Sequence, residues 1–262
     1  MVKTTVFSLV LLALALNAKA ETRVVRLESM ERKIFQAVNR EREDRGLKAL
    51  KWNSKLGEAA AGHLAWMIAR KTLGHRFAGE DALSERIAAT GLRFNSSAEN
   101  VAYATDWEDI HPGLMQSPGH RANILSPKYD EVGIAVALGP NGYYAVQNFA
   151  HTTSEVSSND AEARVAKGLR REIKGDLTVT SSAKVREAMC AMADRDQLQA
   201  SKLPGEPPLR RMFAYTATEP EEVPESLVDA AANSGTRRWV IGVCYKATPR
   251  YPGGTYWVGI LY

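Results

Sequence analysis

Apolar residues recur at helical spacing over the first third of the chain. The first predicted helix starts near Glu28 and stops at Gly46, and its apolar face carries Met30, Ile34, Phe35 and Val38. A second helix carries Leu56, Ala60, His63, Leu64, Met67 and Ile68 at similar intervals. A short third helix is expected over residues 82–90, with Gly91 as its stop. This part of the chain is therefore predicted to be helical.

Two apolar runs after these helices have the character of strands. They cover residues 132–138 and 143–150, and they are joined by Gly139-Pro140-Asn141-Gly142. Such a tetrad is a strong signal for a hairpin turn. Helices followed by an antiparallel pair indicate an α+β unit built in layers.

A polar stretch at residues 152–160 is typical of a linker, and a second, smaller α+β unit is predicted over 161–262. Its helices are expected near 182–194 and 224–233, with strands at 211–216, 239–245 and 255–261. The last two strands form a hairpin around Pro252-Gly253-Gly254. Both halves of the chain thus close with a hairpin after helical sequence. A degenerate internal duplication is one explanation, and the general frequency of hairpins is the other.

Residues 1–20 have the composition of a secretory signal peptide. Lys3 precedes an apolar run from Val6 to Leu16, and Ala18-Lys19-Ala20 predicts cleavage after Ala20. The alternative is an uncleaved anchor helix, but the run is short for a span of roughly 20 apolar residues. We therefore expect an exported protein, periplasmic or secreted, with no transmembrane segment after signal removal.

The charge balance of the mature chain is close to neutral. The full chain has 34 Lys and Arg against 30 Asp and Glu, and loss of Lys3 and Lys19 leaves 32 against 30, or +2. The longest basic runs are pairs, at residues 170–171 and 237–238, and are typical of a solvated face. A nucleic-acid partner is not indicated.

The chain has two cysteines, Cys190 and Cys244. In an oxidising compartment an even pair favours a disulfide over two free thiols. Neither cysteine has a C-x-x-C partner or the spacing of a metal ligand, so no redox or metal role is assigned to them.

Three short stretches differ from ordinary core and surface patterns: residues 73–77 around His75, residues 98–102 around Glu99, and residues 117–125 around His120. Ser117 is a favoured helix N-cap and Pro118 suits the first helical position, which puts His120 in the first turn. The positive end of the helix dipole there disfavours a second positive charge. A neutral imidazole can bind a metal, accept a hydrogen bond or act as a base. Alternatively, His120 only satisfies a buried partner.

Five motifs occur in order along residues 27–151. They are V-N-R-x-R-x-x-x-G-L-x-x-L-x-W (Val38–Trp52), G-H (Gly74-His75), E-N-V-A (Glu99–Ala102), S-P-G-H-R-A-N-I-L (Ser117–Leu125), and the strand pair from Tyr129 to Phe149. This ordered set strongly resembles the bacterial branch of the CAP (SCP-like) superfamily, which includes cysteine-rich secretory proteins, antigen 5 and plant pathogenesis-related proteins. Residues 161–262 have no comparable match.

The resemblance implies an α-β-α sandwich with a surface cleft lined by His75, Glu99 and His120. In animal members a second Glu completes a set that can hold a divalent metal such as zinc. Residues 106–116 offer no clear counterpart of that Glu. They also depart from the family pattern in having Leu114 where bacterial relatives commonly have Trp, and Pro112 is expected to interrupt the helix there.

The sequence gives less support for a functional role of the remaining histidines. His63 lies on the apolar face of its helix and is predicted to be a core residue. His111 precedes a proline and is expected at the surface, and His151 ends a strand.

The favoured function is a binding module for a lipid, an envelope component or a protein partner, with the His/Glu/His cleft fixing a cation or a polar head group. One alternative is a metal-assisted hydrolase of peptidase or esterase type in the same cleft. Ser117 is better explained as a helix cap than as a nucleophile, and no H-E-x-x-H, G-x-S-x-G or Walker motif occurs. Another alternative is a structural envelope protein with a vestigial cleft. No residue is assigned a catalytic role. No cofactor is assigned firmly, and a divalent metal such as zinc held by His75, Glu99 and His120 is the candidate.

Overall fold

The computed structural model describes residues 24–204 and 211–262, so the predicted signal peptide at residues 1–20 lies outside the described residues. Eight α-helices are described: α1 Glu28–Glu43, α2 Ser54–Arg70, α3 Leu83–Ala89, α4 Ile110–Gln116, α5 Pro118–Ile124, α6 Ser158–Glu172, α7 Ala183–Asp194 and α8 Glu225–Ala232. The eight described strands are β1 Lys51–Trp52, β2 Phe94–Ala104, β3 Glu131–Gly139, β4 Gly142–Thr152, β5 Thr178–Ser181, β6 Met212–Ala217, β7 Arg238–Lys246 and β8 Thr255–Leu261. Short 3-10 helices lie at Trp107–Asp109 and Ala200–Lys202.

The first sheet has the strand order β1-β3-β4-β2. Strand β1 runs parallel to β3, and the pairs β3–β4 and β4–β2 are antiparallel. Successive β3 residues alternate between faces: Val132, Ile134 and Val136 join the cluster with α1, α4 and α5, whereas Ala135 and Ala137 join the cluster with α2. The sheet is therefore covered on both faces, and the α-β-α sandwich expected for residues 27–151 is confirmed.

The second sheet has the order β5-β7-β8-β6, again with the first pair parallel and the other two antiparallel. Helices α6 and α8 pack with one face in one apolar cluster, and α7 packs against the other face in a second cluster. This smaller α+β assembly ends in the predicted hairpin of β7 and β8.

The long motif at Val38–Trp52 stabilises the turn between α1 and β1. Asn39 donates to the carbonyl of Leu50 and accepts from its amide, at 3.0 and 2.8 Å. The buried guanidinium of Arg42 donates to the carbonyls of Lys48, Ile124 and Ser126, at 2.7–2.9 Å. Gly46 has a φ of 71°, a conformation that glycine adopts at little cost. The motif therefore ties the end of α1 to the end of α5.

Some expected boundaries are wrong. Strand β4 continues through Thr152 and α6 begins at Ser158, so the connection is residues 153–157 rather than 152–160. Residues 95–97 are Asn-Ser-Ser, a composition typical of turns, but they belong to β2. The pairing of β2 with β4 has an irregular register between Phe94 and Ser96. Pro112 does not interrupt a helix: it is the third residue of α4, where backbone N–H groups have no intrahelical acceptor.

A disulfide joins Cys190 on α7 to Cys244 on β7, as the even cysteine pair predicted. The bond closes a loop over a sequence separation of 54, for which the chain-entropy model gives about 4 kcal/mol of stabilisation. It attaches α7 covalently to the sheet that it covers. In the part of the chain that the structure describes, no helix is long and apolar enough to cross a membrane.

Alanine at Gly133 or Gly242 is expected to lower the free energy of unfolding by about 1–3 kcal/mol. The added methyl carbon would lie 2.0 Å from the Gly57 amide nitrogen on α2 or 2.3 Å from the Arg186 amide nitrogen on α7. Gly62→Ala on α2 is the control, because nothing lies within 4 Å of its added carbon and alanine favours a helix. Urea-induced unfolding measures all three. A Gly242→Ala protein as stable as Gly62→Ala would contradict the close helix–sheet approach.

Candidate functional site

The structure brings together the side chains of His75 and Glu99 from distant parts of the chain. Glu99 lies in the middle of β2 and is buried, whereas His75 lies in the loop after α2 with its side chain 61% exposed. Their closest atoms, His75 Nδ1 and Glu99 Oε1, are 3.0 Å apart. The buried carboxylate therefore fixes one edge of the imidazole and leaves the rest of the ring open to solvent.

His120 lies in the first turn of α5 and is partly buried. Burial lowers the pKa of its imidazole, and the charge of His75 lowers it further. The lowered pKa agrees with the expected neutral ring of His120. Its causes are burial and a neighbouring histidine, whereas the expectation rested on the helix dipole. Ser117 is the N-cap residue of α5 and Pro118 its first helical residue, as predicted, but the Ser117 side chain makes no capping hydrogen bond.

Two motif asparagines hold α5 against β2. The fully buried Asn100 donates from Nδ2 to the backbone carbonyl of His120 at 3.1 Å and to Gln147 Oε1 at 3.0 Å. Asn123 donates to Asn100 Oδ1 at 2.9 Å. Because a buried amide left without partners is costly, this network fixes the position of the helical turn that carries His120.

Arg86, which the sequence did not single out, joins two buried carboxylates, one of which is the partner of His75. Its two terminal nitrogens donate to Glu80 Oε1 and to Glu99 Oε2, each at 2.9 Å. The Arg86 side chain is 8% exposed, and the two glutamate side chains are 2% and 3% exposed. Arg86 lies on α3, so this helix supplies the positive charge that offsets a carboxylate on β2.

His63 completes the buried polar group. Its Nδ1 lies 2.6 Å from Glu80 Oε1, and its Nε2 lies 2.7 Å from the carbonyl oxygen of Gly74 and 3.8 Å from Glu99 Oε1. Both ring nitrogens face oxygen atoms, so the ring is held between Glu80 and the loop that contains Gly74. His63 is a buried residue of α2, and it also holds the loop that presents His75.

The donor atoms of His75, Glu99 and His120 do not meet the needs of a divalent metal. Both oxygens of Glu99 are engaged, one by His75 and the other by the Arg86 guanidinium, whose charge repels a cation. Within residues 24–204 and 211–262, no group of three or more His, Cys, Asp and Glu side chains is placed to hold a metal ion. The residues present therefore do not fit a metal held jointly by His75, Glu99 and His120.

The other two histidines lie away from the cleft residues. Both ring nitrogens of His111 are buried and have no hydrogen-bond partner among the described residues, and burial lowers the pKa of the ring. The expected surface position of His111 is therefore wrong, because α4 packs its first turn against the sandwich. The side chain of His151 is 42% exposed, with Nδ1 3.8 Å from Asp130 Oδ2.

Comparisons with known proteins give matches to the first sandwich. Residues 35–149 match the model of the family described as CAP, the cysteine-rich secretory protein family. The uncharacterized protein YkwD of Bacillus subtilis (strain 168) is 26% identical over 109 residues, which are 41% of this chain and 42% of that protein. The uncharacterized membrane protein YlbC of the same strain is 29% identical over 120 residues, 45% of this chain and 34% of that protein. The chain thus spans less than half the length of these relatives.

A solved structure gives a similar partial match. The crystal structure of a cysteine-rich secretory protein from Staphylococcus aureus is 28% identical, with a TM-score of 0.40. The match covers 48% of this chain and 39% of that chain.

Arg86→Met is expected to lower the free energy of unfolding by about 3–5 kcal/mol, because it leaves two buried carboxylates without their common cation. Arg45→Met is the matched control, since Arg45 pairs with Glu41 on the exposed face of α1 and should contribute about 0–1 kcal/mol. Urea-induced unfolding of both variants gives the comparison. Similar losses for the two would contradict the role given to Arg86.

His75→Gln is expected to raise the pKa of His120 while leaving it below the ordinary histidine value. The substitution removes the charge of His75, but burial, the larger cause of the shift, remains. NMR titration of the histidine ring signals measures this pKa. An unchanged His120 pKa would show that the two imidazoles are not electrostatically coupled.

Proposed function

The chain is a bacterial-type member of the CAP superfamily through residues 35–149, and on that basis we propose that it is an exported module that binds the head group of an anionic amphiphile in the cleft of His75, Glu99 and His120. The export part of the proposal rests on the signal-like composition of residues 1–20.

One observation carries the proposal: the exposed imidazole of His75 is held by a buried carboxylate that is also paired with Arg86. A ring fixed in this way can hydrogen-bond a ligand without first losing side-chain freedom, which lowers the cost of binding. The partly buried ring of His120 supplies a second polar group nearby.

The loop around His75 favours a ligand with both an apolar and an anionic part. Leu73 is a large apolar side chain that remains 45% exposed two residues before His75, and we assign it the contact with the apolar part of the ligand. Arg76 is also exposed, and its Nε donates to the Glu80 carbonyl at 3.1 Å. Its terminal nitrogens make no hydrogen bond to a described residue, so they are free to bind an anion.

The hydrolase alternative has less support. His75 and Glu99 have the arrangement of a base and the group that orients it. However, no hydroxyl or thiol of the described residues hydrogen-bonds to the ring of His75. A binding role uses the contacts that are present, whereas hydrolysis would need a nucleophile in addition.

Co-sedimentation of the mature protein with vesicles tests the proposal. We expect at least about tenfold stronger binding to vesicles of phosphatidylglycerol and phosphatidylcholine than to phosphatidylcholine alone. The double variant His75→Ala/His120→Ala should weaken this binding by at least about fivefold, because two hydrogen bonds are lost. His151→Ala, which removes an exposed histidine elsewhere, should have no effect.

Equal binding by wild type and the double variant would contradict a role for the cleft, and equal binding to both vesicles would contradict an anionic ligand. Calorimetric titration with zinc tests the metal expectation separately. Zinc binding that is lost in the double variant would favour the metal-assisted alternative and count against the charge balance described here.

A further inference from the structure

We infer that residues 158–262 are a second repeat of the same fold, which lacks the cleft residues and acts as a positioning element for the cleft of the first repeat. The inference rests on the topology and contacts of the chain. It rests on the proposed function in one respect, because the groups that are positioned are His75 and Glu99 of the proposed binding site.

The two repeats agree element by element. In each sheet the short first strand, β1 or β5, runs parallel to the first strand of the closing hairpin, β3 or β7. The second hairpin strand, β4 or β8, pairs on its other side with β2 or β6, antiparallel in both cases. The order along the chain is also the same: helix, short strand, helix, strand, helix and hairpin. Among the described residues, the first repeat differs by the additional helix α3 and by having two helices, α4 and α5, where the second has α8.

The packing agrees residue by residue at the points of closest contact. The strand registers make Gly133 and Gly242 equivalent, and at each of them an added methyl carbon would collide with the N-terminal turn of the covering helix. Positions on the first helix also correspond at the same spacing. They are Glu31, Ile34, Val38 and Arg42 on α1, and Glu162, Val165, Leu169 and Ile173 from α6 to its C-cap.

The two equivalent glutamates make the same kind of contact. Glu31 Oε1 accepts from the backbone amide of Val136, and Glu162 Oε1 accepts from the amide of Val243. Val243 is equivalent to Ile134, so the two contacts lie two residues apart along the equivalent strands. Each is also paired with an arginine, Arg26 or Arg186. Arg186 occupies the position equivalent to Gly57, and the Arg26 guanidinium lies 3.3 Å from where a Gly57 side chain would begin. The charge pair is thus kept although its arginine comes from a different place in the chain.

The second repeat has lost the polar residues of the cleft. Strand register and helix caps give the following equivalent positions: Ala214 for Glu99, Tyr215 for Asn100, Val258 for Gln147, Gly259 for Asn148 and Met192 for His63. The equivalent positions around β6 are therefore uncharged in the second repeat, and among its described residues no α-helix lies between α7 and β6, where the first repeat has α3.

The second repeat contacts the first at the start of β2. The Phe94 amide donates to the Gly253 carbonyl at 3.2 Å, and an added methyl carbon on Gly253 would lie 2.1 Å from the Phe94 carbonyl oxygen. Tyr245 donates from its hydroxyl to the same Gly253 carbonyl at 2.8 Å. The Arg93 guanidinium lies 4.4 Å from the centre of the Tyr245 ring. The contact is close enough to fix where β2 begins.

This contact leads directly to the cleft. Phe94 belongs to the same strand as Glu99, and its buried ring packs in one apolar cluster with Ile87 of α3. Ile87 adjoins Arg86, whose guanidinium binds Glu99. The Gly253 turn therefore contacts Phe94 at the start of β2, and Phe94 packs against α3. Strand β2 contains Glu99 and helix α3 contains Arg86.

Gly253→Ala tests the positioning role in the full mature chain. We expect amide hydrogen exchange in α3 and at the start of β2 to become at least about tenfold faster, and the ring signals of His75 to shift in NMR spectra. Exchange in β7 and β8 should stay within about twofold of wild type, which shows that the second repeat remains folded. Arg250→Ala is the matched control on the same turn, because it leaves the Gly253 backbone contact in place.

Arg93→Ala is the second variant, for use if Gly253→Ala does not fold. It removes the contact with the Tyr245 ring without adding an atom, and the same changes in α3 and His75 are expected. Unchanged α3 exchange and unchanged His75 signals in a folded variant would overturn the inference. These readouts need no ligand, so a failure of vesicle binding would contradict the proposed function and leave this inference standing.

Discussion

The structure around the cleft depends on one buried cation, the guanidinium of Arg86. It forms ion pairs with both Glu80 and Glu99, two carboxylates on separate segments that have almost no exposure to water. Unpaired buried charges are among the most destabilising features a protein can contain, so neither glutamate is tolerable without this partner. Through Glu99 the same guanidinium fixes His75, and through Glu80 it fixes His63 and the loop that follows α2. The orientation of an exposed ring is thus set by charges that water does not reach.

Comparison of the two repeats distinguishes the residues that stabilise the sandwich from those that form the cleft. Both retain the glutamate on the first helix, with its arginine, and both retain the glycine that lets a helix lie on the sheet. Only the first retains the buried amides and carboxylates around β2. Apolar and small residues occupy the equivalent positions in the second, and its sheet is stabilised by a disulfide instead. The cleft network is therefore an addition to a fold that is stable without it, which fits a role in binding.

Sequence patterns predicted the elements whose signals are local. The closing hairpins combine apolar runs with glycine-rich turns, and the predicted core helices show a clear apolar period. The start of α6 was mistaken for a linker because Ser157, Asn159 and Asp160 form its polar cap and first turn, and polar caps and polar linkers have the same composition. His75, Glu99 and His120 were found through ordered motifs. Arg86 and Glu80 were missed because a charged residue is usually solvated, and only the packing of α3 on β2 shows that these are buried.

A double-mutant cycle between Arg86 and Glu99 tests the central claim most directly. Free energies of unfolding are measured for wild type, Arg86→Met, Glu99→Gln and the double variant. If Arg86 serves to balance the buried carboxylate, Glu99→Gln recovers part of the stability lost in Arg86→Met, and the coupling energy is at least about 1 kcal/mol. Losses that add to within about 0.5 kcal/mol would contradict the account, because the two charges would then not depend on each other.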